Sequence, residues 1–281
     1  MSYRYGGKSR PGSQVQAWLG GSAGEPWFQQ IVSKPINSNL ATITADSVAH
    51  VKGAWTEIIA STSSDADSIY LQLRLFSTSA VNTAGLLDVG IGGSGSEVVV
   101  IENLPTGGAE GVYHLLPLRI PAGSRIAARF QCAEVSNTGE VTIKVLNTGN
   151  YVSAPTSLVT LGANTATSAG VNITAATYTQ IVSSTSQDFS FVHLAMGLNS
   201  TATQIRRMVY TLGVGAASSE VAIQEVQYNV TSTLETIVNA GVAVVPSGVF
   251  VPAGSRLSAK VVELNSLTGI TLCGVILGAR T

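Results

Sequence analysis

"VGIGGSGSEVVVIE" occupies Val89–Glu102, and "LGVGAASSEVAIQE" occupies Leu212–Glu225. Both run from an apolar–glycine alternation through a small-residue bend into Ser-Glu and a second alternating run. The match extends outward without a gap, residues 55–102 lying over 178–225 at an offset of 123, with sixteen of the 48 positions identical. "TEIIASTSSD" (56–65) falls on "TQIVSSTSQD" (179–188), and Trp55 falls on Tyr178. Further on, "PAGSR" recurs at Pro121–Arg125 and Pro252–Arg256, now 131 residues apart, so the second copy carries extra residues within "YNVTSTLETIVNAGVAVVPSGVF". A period above 100 residues is the size of a whole domain, not of a solenoid unit. The expected organisation is an extended N-terminal arm over 1–40, one domain over 41–153 and a second over 154–281, joined through "LNTGNYVSAPTS".

Each copy reads as all-β. Segments such as "SIYLQLRLF", "RIAARFQCA", "EVTIKVL" and "RLSAKVVEL" alternate apolar and polar residues at period two, the mark of strands with one buried face. Gly-, Ser- and Asn-rich stretches separate them, and no apolar pattern at the helical period is sustained. Many short strands at regular spacing predict two tandem antiparallel β-sandwiches of jelly-roll type, related by internal duplication.

The repeated pentapeptide has a local explanation. Proline presets the backbone for a turn, and glycine accepts the positive φ that closes it. Pro121, Gly123, Pro252 and Gly254 are therefore expected to be structural turns, together with Gly90, Gly92, Gly213 and Gly215 of the glycine-rich bends. Past the turn, Ile126, Ala128 and Phe130 share one face of a strand, as do Leu257, Ala259 and Val261 in the second copy. Arg256 stands at the strand's mouth, where its stem covers apolar surface and its head reaches water.

Charged residues make up only 11% of the 281 and the formal net charge is −1, which gives no global bias toward nucleic acid or a membrane surface. The start, "MSYRYGGKSRPGSQ", has no apolar core region, so no signal peptide is expected, and no uncharged run reads as a membrane span. Two cysteines, Cys132 and Cys273, sit in strand-like contexts and are expected to be buried free thiols.

Motifs that carry chemistry fare poorly. "GIGGSG" (90–95) fits the dinucleotide fingerprint, but a strand follows where a helix N-terminus is required, and the second copy has Ser218 at the third glycine. His50, His114 and His193 have no repeat partner and no metal-ligand spacing. There is no nucleophile elbow. The repeated acids Asp65 with Asp188, Glu97 with Glu220 and Glu102 with Glu225 fall one of each pair in each domain, which suits the binding of turn amides better than a shared catalytic cleft. No catalytic residue, metal or cofactor is expected.

The first 30 residues differ in kind. Tyr3, Arg4, Tyr5, Lys8, Arg10, Trp27 and Phe28 combine bases with aromatics in a stretch without strand alternation, and the first acid is Glu25. Such a segment suits an arm threaded along a neighbouring polypeptide with aromatic anchors. The other readings are a nucleic-acid contact confined to this arm and a disordered tail.

"LLDVGIGGSGSEVVVIENL", followed by "LPLRIPAGSRIAARFQ", resembles a module of structural proteins of tailed bacteriophages. The resemblance covers most of 53–132 and, more weakly, 176–263, where Thr211 replaces Asp88 and Ala216–Ala217 replace Gly93–Ser94. It implies a virion component of cement, decoration, collar or fibre type, assembled with other virion proteins and forming a homo-oligomer, and it supplies no catalytic residue. The competing expectation is a carbohydrate- or receptor-binding sandwich of a phage tail, which needs a solvent-facing aromatic platform. Aromatics at 6% leave little for one.

Overall fold

The computed structural model describes residues 40–75, 85–106, 112–147, 154–173, 176–199, 206–230, 250–263 and 270–279. All regular structure among them is β. Eight strands form the first copy: β1 (Leu40–Thr44), β2 (Thr56–Ile59), β3 (Ala66–Leu75), β4 (Gly85–Ile91), β5 (Val98–Thr106), β6 (Val112–Ile120), β7 (Ile126–Cys132) and β8 (Thr138–Leu146). The second copy contains β9 (Leu158–Leu161), β10 (Val171–Ile173), β11 (Thr179–Val182), β12 (Phe189–Asn199), β13 (Arg206–Val214), β14 (Val221–Val230), β15 (Leu257–Glu263) and β16 (Ile270–Ala279). No helix of the described residues is long and apolar enough to cross a membrane.

In the first copy one sheet runs β1-β8-β3-β6 and the facing sheet contains the run β5-β4-β7-β2. Two four-stranded sheets in this order are a jelly roll, in which every strand but those at a hairpin pairs with one distant in sequence. The alternation noted above does the packing. Leu71, Leu73, Leu116, Leu118 and Ile143 of one sheet meet Leu87, Val89, Ile101, Leu104 and Phe130 of the other in one buried cluster. The second copy repeats the plan: β11-β15-β13-β14 form one sheet, while β16 pairs with β10 on one side and β12 on the other. Tyr210, Leu212, Leu257, Ala259 and Val261 line its core.

The equivalence holds residue by residue. Gly90 lies opposite Ala127 and Val99, and Gly213 opposite Ser258 and Ala222, which are the same positions at offsets of 131 and 123. Even the bulge recurs: pairing slips between Glu57 and Ile59 against β7, and between Gln180 and Val182 against β15.

The two sandwiches are joined by sheet. β9 pairs antiparallel with β16 of its own copy and parallel with β5 of the first, Ile101 opposite Leu158 and Glu102 opposite Val159. Around this seam Arg119 N donates to Pro155 O (2.7 Å), Gln131 Nε2 donates to Thr165 O (2.7 Å) and to Ser168 Oγ (3.0 Å), and His50 Nδ1 lies 2.9 Å from Ser168 Oγ.

Candidate functional site

The repeated pentapeptides sit at one end of each sandwich, and their polar groups make matching contacts. In the first copy Thr62 Oγ1 donates to Pro121 O (2.8 Å) and accepts from Ser124 N (3.0 Å), while Gly123 N donates to Thr62 O (2.8 Å). In the second, Thr185 Oγ1 donates to Pro252 O (2.7 Å) and accepts from Ser255 N (3.0 Å), while Gly254 N donates to Thr185 O (2.8 Å). Asp65 accepts from Ala122 N (2.7 Å) and Asp188 from Ala253 N (2.9 Å). These two acids bind turn amides, the role their duplication suggested.

Gly123 and Gly254 take φ of +76° and +80°, and Gly92 and Gly215 take +122° and +126°, conformations that side-chain-bearing residues adopt at a cost. Pro121 and Pro252 open their turns. Gly90 and Gly213, expected among the turn residues, lie instead inside β4 and β13. Their reason is close approach. A Cβ on Gly90 would stand 2.9 Å from Trp55 Cη2, and one on Gly213 would stand 2.7 Å from Tyr178 Cε1. The aromatic pair seen in the sequence is thus seated on the glycine pair. Over the same rings lie cations, Arg129 at 4.4 Å from the Trp55 centroid and Lys260 at 4.6 Å from that of Tyr178.

The pentapeptide arginines do not reach for water. Arg125 donates through Nε to Glu57 (2.7 Å) and through a terminal nitrogen to Glu97 (2.8 Å) and to Gly92 O (3.3 Å). Arg256 repeats this with Gln180 (3.0 Å), Glu220 (2.7 Å) and Gly215 O (3.2 Å), correcting the expectation of a solvated head. Each arginine ties the glycine bend to the strand beside it. The Glu97 and Glu220 side chains are 1% and 5% exposed. Burial alone would raise the Glu97 carboxyl, and hydrogen bonds from Arg125 and from backbone amides outweigh it, leaving it below the usual carboxylate range. At Glu220 the Arg256 hydrogen bond is the largest influence and again holds the carboxyl low against burial.

One cluster is not duplicated. Asp88 accepts from Lys52 (2.7 Å), Arg129 (3.0 Å) and Asn103 N (2.9 Å), and Lys52 also donates to Leu86 O (2.9 Å). Burial pulls the Lys52 ammonium below its ordinary range despite Asp88 beside it. The second copy has Thr211 in place of Asp88, and Thr211 Oγ1 donates to Glu225 (3.3 Å). Among the described residues no three His, Cys, Asp or Glu side chains are grouped to hold a metal ion. The bend of "GIGGSG" leads into β5, not a helix. Cys132 is a buried free thiol whose Sγ lies 3.1 Å from Glu134 O, and burial raises it above its ordinary range. The side chains of His193 and Cys273 lie outside the described residues, as do Tyr3, Arg4, Tyr5, Lys8, Arg10, Trp27 and Phe28 of the arm.

No family model matches the chain, and no curated protein matches it. Among solved structures it is similar to the STIV MCP, at 9% identity and a TM-score of 0.32, covering 85% of this chain and 95% of that one. It is also similar to N-glycanase F, at 10% identity and a TM-score of 0.29 over 86% and 96% of the two chains. A third is the tandem CBM22-1-CBM22-2 domain of Xyn10C from Paenibacillus barcinonensis, at 11% identity and a TM-score of 0.22 over 87% and 92%. Likenesses at these scores carry no argument about what this chain does.

Proposed function

We propose that this chain is a non-enzymatic structural component of a bacteriophage virion, of cement, decoration, collar or fibre type, docking on other virion proteins through its N-terminal arm. The observation that carries the reading is the bond-for-bond repetition of the turn clamps. A duplicated binding or catalytic site keeps polar groups pointed at a ligand. Here Thr62, Asp65, Glu97 and Arg125, and their counterparts Thr185, Asp188, Glu220 and Arg256, are engaged within their own copy. What has been duplicated is a way of holding shape, which is what a module in a symmetric assembly needs. The resemblance of residues 53–132 to tailed-phage structural modules supplies the setting, and the low charge suits a surface laid against other protein.

The test is to locate the chain in a reconstruction of an intact particle from the source virus. Density for the tandem sandwiches on the head, neck or tail supports the proposal. Purified particles that lack the chain altogether overturn it.

A further inference from the structure

β5 and β14 are the same strand in the two copies, yet among the described residues only β14 ends its sheet. β5 carries β9 along its outer side, whereas β14 is the last strand of the order β11-β15-β13-β14. The surfaces differ accordingly. Val100 and Ile101 of β5 are buried, and their counterparts Ile223 and Gln224 are half-buried. Gln131 of β7 is 2% exposed beneath the chain following β9, while its counterpart Val262 is an apolar side chain 39% exposed.

The covering segment of the first copy has a counterpart too. Ser68 pairs with Leu146 and Phe191 with Gly278, so the last strand of each sandwich is related by 132 residues where β3 and β12 are related by 123. Ala41 pairs with Val141 and Val171 with Cys273, which relates β1 to β10 by 130. β9 covers Val275–Gly278 of β16, equivalent to Ile143–Leu146 of β8, the stretch that follows the described pairing of β1, in which Leu40 lies opposite Thr142. At the offset of 130 the residues that correspond to Leu158–Leu161 are Phe28–Ile31. By the same offset Thr165, which meets Gln131 across the seam, corresponds to Pro35. A polar contact between Gln131 and Thr165 is therefore matched by an apolar pair, Val262 and Pro35.

We propose that residues 28–31 of one copy add in parallel to β14 of a second copy, Phe28 opposite Gln224 and Gln29 opposite Glu225, with the following residues lying over Val262. Copies then join head to tail by the seam that holds the two sandwiches of one chain together. An edge strand is a template for such addition. A head-to-tail joint closes into a ring or continues as a filament. The inference rests on reading the N-terminal residues as a docking arm, and it names the partner: a second copy of this chain.

The decisive experiment places cysteines at Gln29→Cys and Glu225→Cys in the full chain and oxidises it. The expected result is a ladder of disulfide-linked multimers on a non-reducing gel. The pair Gln29→Cys with Glu102→Cys is the control, because β9 already occupies that side of β5, and it is expected to give no ladder beyond that of the single variants. Light scattering of the unmodified chain is expected to report a mass of at least two copies, and deletion of residues 1–32 is expected to leave one. A monomeric unmodified chain, a cross-link confined within single chains, or an equal ladder from the control overturns the joint. A chain that binds purified particles but neither self-associates nor cross-links between copies overturns the second-copy partner and leaves the docking arm standing. Assembly in solution by a chain absent from particles does the reverse.

Discussion

Acidification from pH 7.5 to 4.5 is expected to weaken the first sandwich through one side chain, His114. β6 alternates inward at His114, Leu116, Leu118 and Ile120, so the imidazole lies on the core face, 2% exposed. It reaches across the sandwich, its Nε2 lying 3.2 Å from Pro105 O of β5. A ring nitrogen facing a carbonyl carries the proton and donates it, which fixes a neutral tautomer. Burial away from water disfavours the imidazolium and, against the weaker opposing pull of the Pro105 carbonyl, brings the pKa down from 6.5 to about 4. The unfolded chain binds a proton at about 6.5 and the folded chain does not until about pH 4, so stability rises with pH across that window. The contribution is fully present above the unfolded value and is lost as pH falls through the folded one. At about 1.4 kcal/mol per pH unit, two units below 6.5 remove about 3 kcal/mol. Urea unfolding followed by tryptophan fluorescence reads the first copy, since Trp18, Trp27 and Trp55 all precede the second. The comparison is with His114→Leu, which replaces the ring by an apolar side chain and sacrifices a hydrogen bond worth about 1 kcal/mol. Carboxylates titrate alike in both proteins and cancel in the difference. The wild type is expected to lose about 3 kcal/mol relative to the variant between pH 7.5 and 4.5. Parallel pH profiles, or an imidazole that titrates near 6.5 by NMR in the folded chain, refute the reasoning.

Three further outcomes follow from the turn clamps. Gly123→Ala and Gly254→Ala each place a Cβ in open space at a positive φ, so each is expected to destabilise its own sandwich by about 1 kcal/mol, read as separate shifts in melting. Gly90→Ala and Gly213→Ala instead push a Cβ into Trp55 or Tyr178. Each should cost about 1–3 kcal/mol by overpacking, and calorimetry that finds them milder than the turn variants would contradict the seating of the rings. Arg125→Ala and Arg256→Ala leave Glu97 and Glu220 enclosed without their partner. Both should be more damaging than the turn glycine changes at pH 7, with the penalty shrinking as pH falls below the carboxylate range. The sign follows from the lowered carboxyl pKa: pairing stabilises above the unfolded value near 4.5 and is lost as pH falls through the folded one. A penalty independent of pH would assign the arginines a packing role only.

Local chemistry determined much of this molecule from the sequence by itself. Period-two alternation dictates strands with one buried face, and it placed Ile126, Ala128 and Phe130 correctly in the core. A repeat at constant offset dictates equal registers, which is why Gly90 and Gly213 occupy equivalent places. Pro-Ala-Gly-Ser writes its own turn, because proline fixes its φ and glycine accepts a positive one without steric cost. The rest depends on partners far apart along the chain. Gly90 reads as a bend until Trp55, 35 residues away, is laid against it. Arg256 reads as a solvated end until Gln180 and Glu220 converge on it. The addition of β9 to β5 has no sequence signature at all, since edge pairing uses backbone groups that every residue possesses. That β9 covers β5 was therefore decided only when the two sandwiches came together.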